Sequence, residues 1–136
     1  MNRFPRICLL AIIVTGCGGA APRDSANEFK GEDRKVAAAV EALETAGREA
    51  DADAVCTKLL ADELLATLKQ QGVTCRTAIK QQFRLANSFD VTVDDVTITG
   101  DKAVAKVTSG TGSDEKPETL ELVRSGAAWK ISLLRQ

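Results

Sequence analysis

The chain contains no histidine and no tyrosine, and only one tryptophan, one methionine and four phenylalanines among 136 residues. Without histidine it lacks the commonest general base and the commonest zinc ligand. Without tyrosine it lacks the phenolic acid. No apolar run reaches the roughly 18 residues that a membrane-spanning helix needs, which excludes a bundle of spanning helices. No basic run of five or more occurs, and so few aromatics leave little to stack on bases, so a nucleic-acid partner is excluded. Strand–helix alternation with a Gly-rich first turn is also missing, so no dinucleotide cofactor is expected. What remains is 44% hydrophobic and 27% charged, with a net charge of −1. That is too apolar for wholesale disorder, and the length suits one domain with one core.

The first residues carry an address. Arg3 and Arg6 precede the short apolar run Ile7–Val14, the charge-then-apolar layout of a secretory signal peptide. The run ends on Val14-Thr15-Gly16-Cys17, which resembles the lipobox of bacterial lipoproteins: an aliphatic residue, two small ones, then cysteine. The resemblance implies that residues 1–16 are removed and that Cys17 becomes a lipidated first residue. Two or three acyl chains hold stably, because each buried CH₂ contributes about 0.8 kcal/mol. The expected partner is therefore a membrane reached through the lipid, on the extracytoplasmic face. Residues 17–31 are small, polar and Gly/Pro-bearing, and read as a flexible tether. Loss of Arg3 and Arg6 leaves 16 basic against 19 acidic residues, a net charge of −3.

The four cysteines divide by the same logic. Cys8 belongs to the signal peptide and Cys17 to the lipid. Cys56 and Cys75 remain as an even pair in an oxidising setting, which predicts a disulfide. A redox pair usually has Cys-x-x-Cys spacing, and two thiols without histidine make a poor metal site, so no metal is expected.

From Glu32 the apolar period is helical. Val36, Ala39, Val40 and Leu43 form a stripe, with Glu41, Glu44 and Arg48 read as the polar side and Gly47 near the end as a stop. Asp51 or Asp53 caps a second helix from Ala52 to about Leu60. A third spans Asp62–Gln70 and ends at Gly72. A fourth runs from Thr74-Cys75 to about Ala86, with Ile79, Phe83 and Leu85 apolar. Ser25-x-x-Glu28 has the spacing of a capping box. After Asn87 the period drops to two. Phe89, Val91 and Val93 alternate, then Val96 and Ile98 continue out of phase, so a bulge is expected at Asp94-Asp95. Gly100-Asp101 signals a hairpin, and strands follow at Lys102–Thr108, Glu118–Arg124 and Ala127–Leu134. Helices followed by an antiparallel meander make a single α+β domain over residues 32–136.

The order of these features carries a resemblance. The first helix passes through Ala46-Gly47-Arg48-Glu49-Ala50-Asp51-Ala52 into a helix bearing Cys56, and Cys75-Arg76-Thr77-Ala78 opens a later one. Val96-x-Ile98-x-Gly100-Asp101-Lys102-Ala103 then forms a hairpin, and Gly126-x-x-Trp129-Lys130-Ile131 closes the chain. Over residues 33–135 this resembles small exported lipoproteins of the nuclear transport factor 2-like superfamily, of the kind frequent in actinobacteria. The resemblance implies N-terminal helices packed on a curved antiparallel four-stranded sheet, cone-like, with a cavity. Enzymes of that superfamily use Asp, His and Tyr inside the cone. Since His and Tyr are missing here, no catalytic residue is carried over.

The function expected on these grounds is non-enzymatic: a membrane-anchored domain that binds a small apolar ligand or an envelope protein, without cofactor. The alternative is an enzyme that uses a desolvated carboxylate in the cone as its base. Asp94-Asp95 reads as bulge residues, Asp51-x-Asp53 as helix capping, and Trp129 as a core anchor of the last strand, with ligand stacking as its alternative. A cavity holding an inward carboxylate favours the enzyme, and an apolar one favours ligand binding.

Overall fold

Two periodicities build two layers. The computed structural model describes residues 24–86 and 88–135. Helix α1 spans Gly31–Arg48, α2 Ala52–Ala54, α3 Asp62–Gln70 and α4 Cys75–Leu85, and a single π-helical turn, Val55–Leu59, continues α2. The strands are β1 (Val91–Thr99), β2 (Lys102–Ser109), β3 (Lys116–Ser125) and β4 (Ala128–Arg135). They form one antiparallel sheet in the order β1-β2-β3-β4, so the chain is α+β as its periods predict.

The sheet register explains its face. The β1–β2 ladder skips Asp94, between Val93↔Val107 and Asp95↔Lys106. That bulge returns Val96 and Ile98 to the face already held by Val91 and Val93, and all four pack on the core. Ala103, Ala105 and Val107 of β2, Leu120 and Leu122 of β3, and Trp129 and Ile131 of β4 are buried on the same side. A second shift lies between Glu121 and Leu122, where β3 meets β4. There the Ser132 hydroxyl donates to the Glu121 carbonyl at 3.0 Å. The helical layer presents Val36, Ala37, Val40, Val55 and Leu60. Leu60 pairs with Ile131, and the Ala61 N–H donates to the Ile131 carbonyl at 2.8 Å, which pins the π turn to the sheet.

Helix ends follow from local chemistry. The Asp51 side chain accepts from the Ala54 N–H, and Thr74 accepts from the Thr77 N–H. Helix α1 ends differently from expectation. Gly47 is the next-to-last residue of the helix and keeps a helical backbone, and the chain reverses instead at Ala50, whose φ is +54°. The Asp51 N–H reaches back to the Ala46 carbonyl at 2.8 Å, closing the helix. Gly47 is needed for another reason. A Cβ there would sit 2.4 Å from the Phe89 ring.

Further details correct the sequence reading. Ser25–Glu28, placed in the tether, forms a 3-10 turn with Ser25 and Ala26 buried. The Ala26 N–H donates to Glu41 Oε1 at 2.6 Å, the Ser25 hydroxyl donates to the same oxygen, and the Val93 N–H donates to the Ser25 hydroxyl. Ser25 therefore ties the segment to α1 and β1 rather than forming a capping box. Leu85 is exposed, because the fourth helix turns its Ile79 and Phe83 inward. The loop expected over Ser109–Pro117 is shorter, since β2 runs to Ser109 and β3 begins at Lys116. The signal peptide and Cys17 lie outside the described residues.

Candidate functional site

Glu44 stands four residues after Val40 and eight after Val36, so the helical repeat places it on the buried stripe. Its charge suggests the polar side, yet its relative exposure is only 2%. Arg48, one turn on, makes this burial tolerable. Its Nε and a terminal nitrogen donate to Glu44 Oε1 at 3.1 and 2.8 Å. The same guanidinium also pairs with Asp90, just before β1. Burial raises the Glu44 pKa above the usual carboxylate range. The Arg48 bonds oppose this, Asp90 adds to it, and the Val91 N–H also donates to the carboxylate.

Glu44 opens onto a cleft of about 290 Å³ between the helices and one end of the sheet. Leu43 of α1, Val55 of the π turn, Ile79 and Phe83 of α4, Phe89 and Val91 make its apolar wall. Phe83 and Phe89 meet edge-to-face with centroids 5.3 Å apart. At the polar end stand Gln82, Ser88, Ser109 and Glu118. Glu118 is in phase with Leu120 and Leu122, so strand alternation turns it to the inner side, where it is half-buried. Its alternation with the β3 leucines was the signal that could have found it. Another depression, on the sheet around Glu63, Lys102, Val104 and Glu121, is larger at about 400 Å³ but lined by charges of both signs.

One wall of the cleft depends on a covalent link. α4 has no fully buried residue of its own. A disulfide joins Cys75, its first residue, to Cys56 in the π turn, with Cα atoms 5.9 Å apart. Arg76 adds an ion pair to Asp53. The predicted pairing of Cys56 with Cys75 is therefore present, and its structural consequence is to hold Ile79 and Phe83 over the core.

The remaining sequence candidates lie elsewhere. Trp129 is buried and donates its indole N–H to Glu32 Oε2 at 3.2 Å. Arg124 covers its ring at 4.5 Å and donates to the same oxygen at 2.8 Å. Lys35 holds the other Glu32 oxygen at 2.5 Å, and these donors lower the Glu32 pKa to about 2. This cluster clasps the start of α1 to β3 and β4, so Trp129 is a core anchor and not a wall of the cleft. Asp94 sits at the bulge and accepts from the Thr108 hydroxyl at 2.8 Å. Asp51 caps a helix, as its spacing suggested, whereas Asp53 pairs with Arg76.

Among the described residues, no group of three or more His, Cys, Asp or Glu side chains is placed to hold a metal ion. No helix among them is long and apolar enough to cross a membrane. Comparison of the chain with protein-family models, with curated proteins and with solved structures finds no match.

Proposed function

We propose that the chain is a membrane-anchored extracytoplasmic lipoprotein whose domain binds a small, largely apolar molecule in the cleft between α1, α4 and β1. The observation that carries this reading is the lining. Seven apolar side chains, two of them aromatic, surround about 290 Å³, the size and chemistry of a small-molecule site. The curved sheet closed by helices is the cone of a nuclear transport factor 2-like domain on this reading. The lipobox resemblance at Val14–Cys17 supplies the anchor, and a Cys17→Ala chain is expected to lose its acyl mass in the native host.

Glu44 is the observation that favours the second reading, a carboxylate-dependent enzyme, since its proton affinity is raised within the cleft. A general base must be free to take a proton from substrate. Arg48 instead commits Glu44 Oε1 to two donated bonds, which suits an anchor of the wall better than a base.

The test is photolabelling of the full-length protein with a small, neutral, apolar diazirine, mapped by peptide mass spectrometry. Labels are expected on peptides holding Leu43, Ile79, Phe83 and Phe89, and Ile79→Trp should reduce them by filling the cleft. Labels confined to the outer sheet face, or scattered equally, would refute the binding reading.

A further inference from the structure

The cleft has a sign. Among the described residues, the charged side chains that line it are Glu44 and Glu118, and no lysine or arginine does. Arg48 lies beside Glu44 but is divided between Glu44 and Asp90. Glu118 makes no ion pair among the described residues. Two carboxylates thus line an apolar hollow, and the one guanidinium beside it is shared with a third carboxylate, Asp90, outside the lining. In such a hollow a field is screened far less than in open water. Phe83 and Phe89 add ring faces, which attract cations through their quadrupoles.

Resting on the cleft as the binding site, we infer that its occupant is an apolar molecule bearing one cationic head, such as an ammonium group, with its body against Ile79 and Phe83 and its charge toward Glu118. Two cations of α4, Lys80 and Arg84, line a neighbouring groove with Ala50 and Thr77, on the other side of the shared Phe83 ring. An anionic amphiphile would have to place its head there.

The experiment is competition against the neutral photoprobe on the full-length protein. It uses three compounds with one naphthalene body: naphthylmethylammonium, naphthalenemethanol and naphthoate. The ammonium compound should displace the probe at about tenfold lower concentration than the alcohol, the size of a partly desolvated cation–π and charge contribution. Naphthoate should be weakest. Glu118→Gln should shrink the ratio between ammonium and alcohol. Should that variant misfold by circular dichroism, the ratio on the unaltered chain still decides. An alcohol as effective as the ammonium compound overturns the charge inference and leaves the cleft reading standing. A preference for naphthoate that is lost in Lys80→Ala also overturns it, and moves the head to the neighbouring groove. Probe labelling outside the cleft, with no competition by any compound, defeats both.

Discussion

Replacing Gly47 by alanine tests how α1 and β1 fit together at the cleft. An ideal Cβ at Gly47 would lie 2.4, 2.8 and 3.0 Å from three carbons of the Phe89 ring. Carbon pairs prefer about 3.5–4.0 Å, so the ring must retreat by roughly 1 Å. Overpacking of this kind costs about 1–3 kcal/mol. Against it stands the helix preference of alanine over glycine, about 1 kcal/mol within a helix. The two terms predict net destabilisation of up to about 2 kcal/mol in the unaltered chain. They also predict that the sign reverses once the ring is gone. In a Phe89→Ala background, Gly47→Ala should stabilise by about 1 kcal/mol, since only the propensity remains. Urea unfolding read by the fluorescence of the single, buried Trp129 measures both arms of the cycle. Equal effects in the two backgrounds, within the roughly 0.3–0.5 kcal/mol seen for independent sites, would show that Gly47 is not there for Phe89.

Three further outcomes follow from the same structure. Replacing Cys56 and Cys75 together by alanine should cost about 3 kcal/mol, since the bond closes a loop of 19 residues, and a thiol assay on the denatured, unreduced protein should find neither of them free. Ala50→Gly should stabilise by about 1 kcal/mol, because alanine at φ +54° carries the left-handed penalty that glycine avoids; unchanged or lower stability in urea would contradict that geometry. Glu32 titrates at about 2 in the folded chain against 4.5 ordinarily, so its contribution is present above pH 4.5 and is lost as pH falls from 4.5 toward 2; Glu32→Gln should flatten the stability profile in that window, and an unchanged acid limb would refute the clasp. Glu44 works in the opposite sense, because a raised pKa favours the folded state only where the carboxyl is protonated.

The sheet was legible in the sequence because alternation is a strong constraint. A one-residue slip would turn a whole strand inside out, so the change of phase at Asp94-Asp95 had to become a bulge. The end of α3 and the start of α4 were also readable, from Gly72 and from Thr74-Cys75, with Thr74 turning out to be the cap. The cleft was harder to see. Glu44 was assigned by its charge, when its position on the Val36–Val40 stripe already placed it inside. A buried acid becomes possible only with a partner, and here Arg48 at i+4 supplies one, with Asp90 sharing it from 42 positions away. Gly47 suggests a stop because glycine ends helices often. Its true constraint is the close approach of Phe89, a contact with no local sequence signal. The small, polar surroundings of Ser25 suggest a tether. Its hydroxyl is ordered by Glu41 and the Val93 N–H, again across long separations.

The central claim is that the hollow between α1, α4 and β1 receives a small apolar molecule. Methyl-resolved nuclear magnetic resonance of the full-length protein, titrated with a neutral naphthalene compound, tests it most directly. The account predicts saturable shifts at Leu43, Val55, Ile79 and Val91, which line the cleft, and none at Val104 or Val123 beside the outer-face depression. Saturable shifts at Val104 and Val123, with the cleft methyls unmoved, would contradict it.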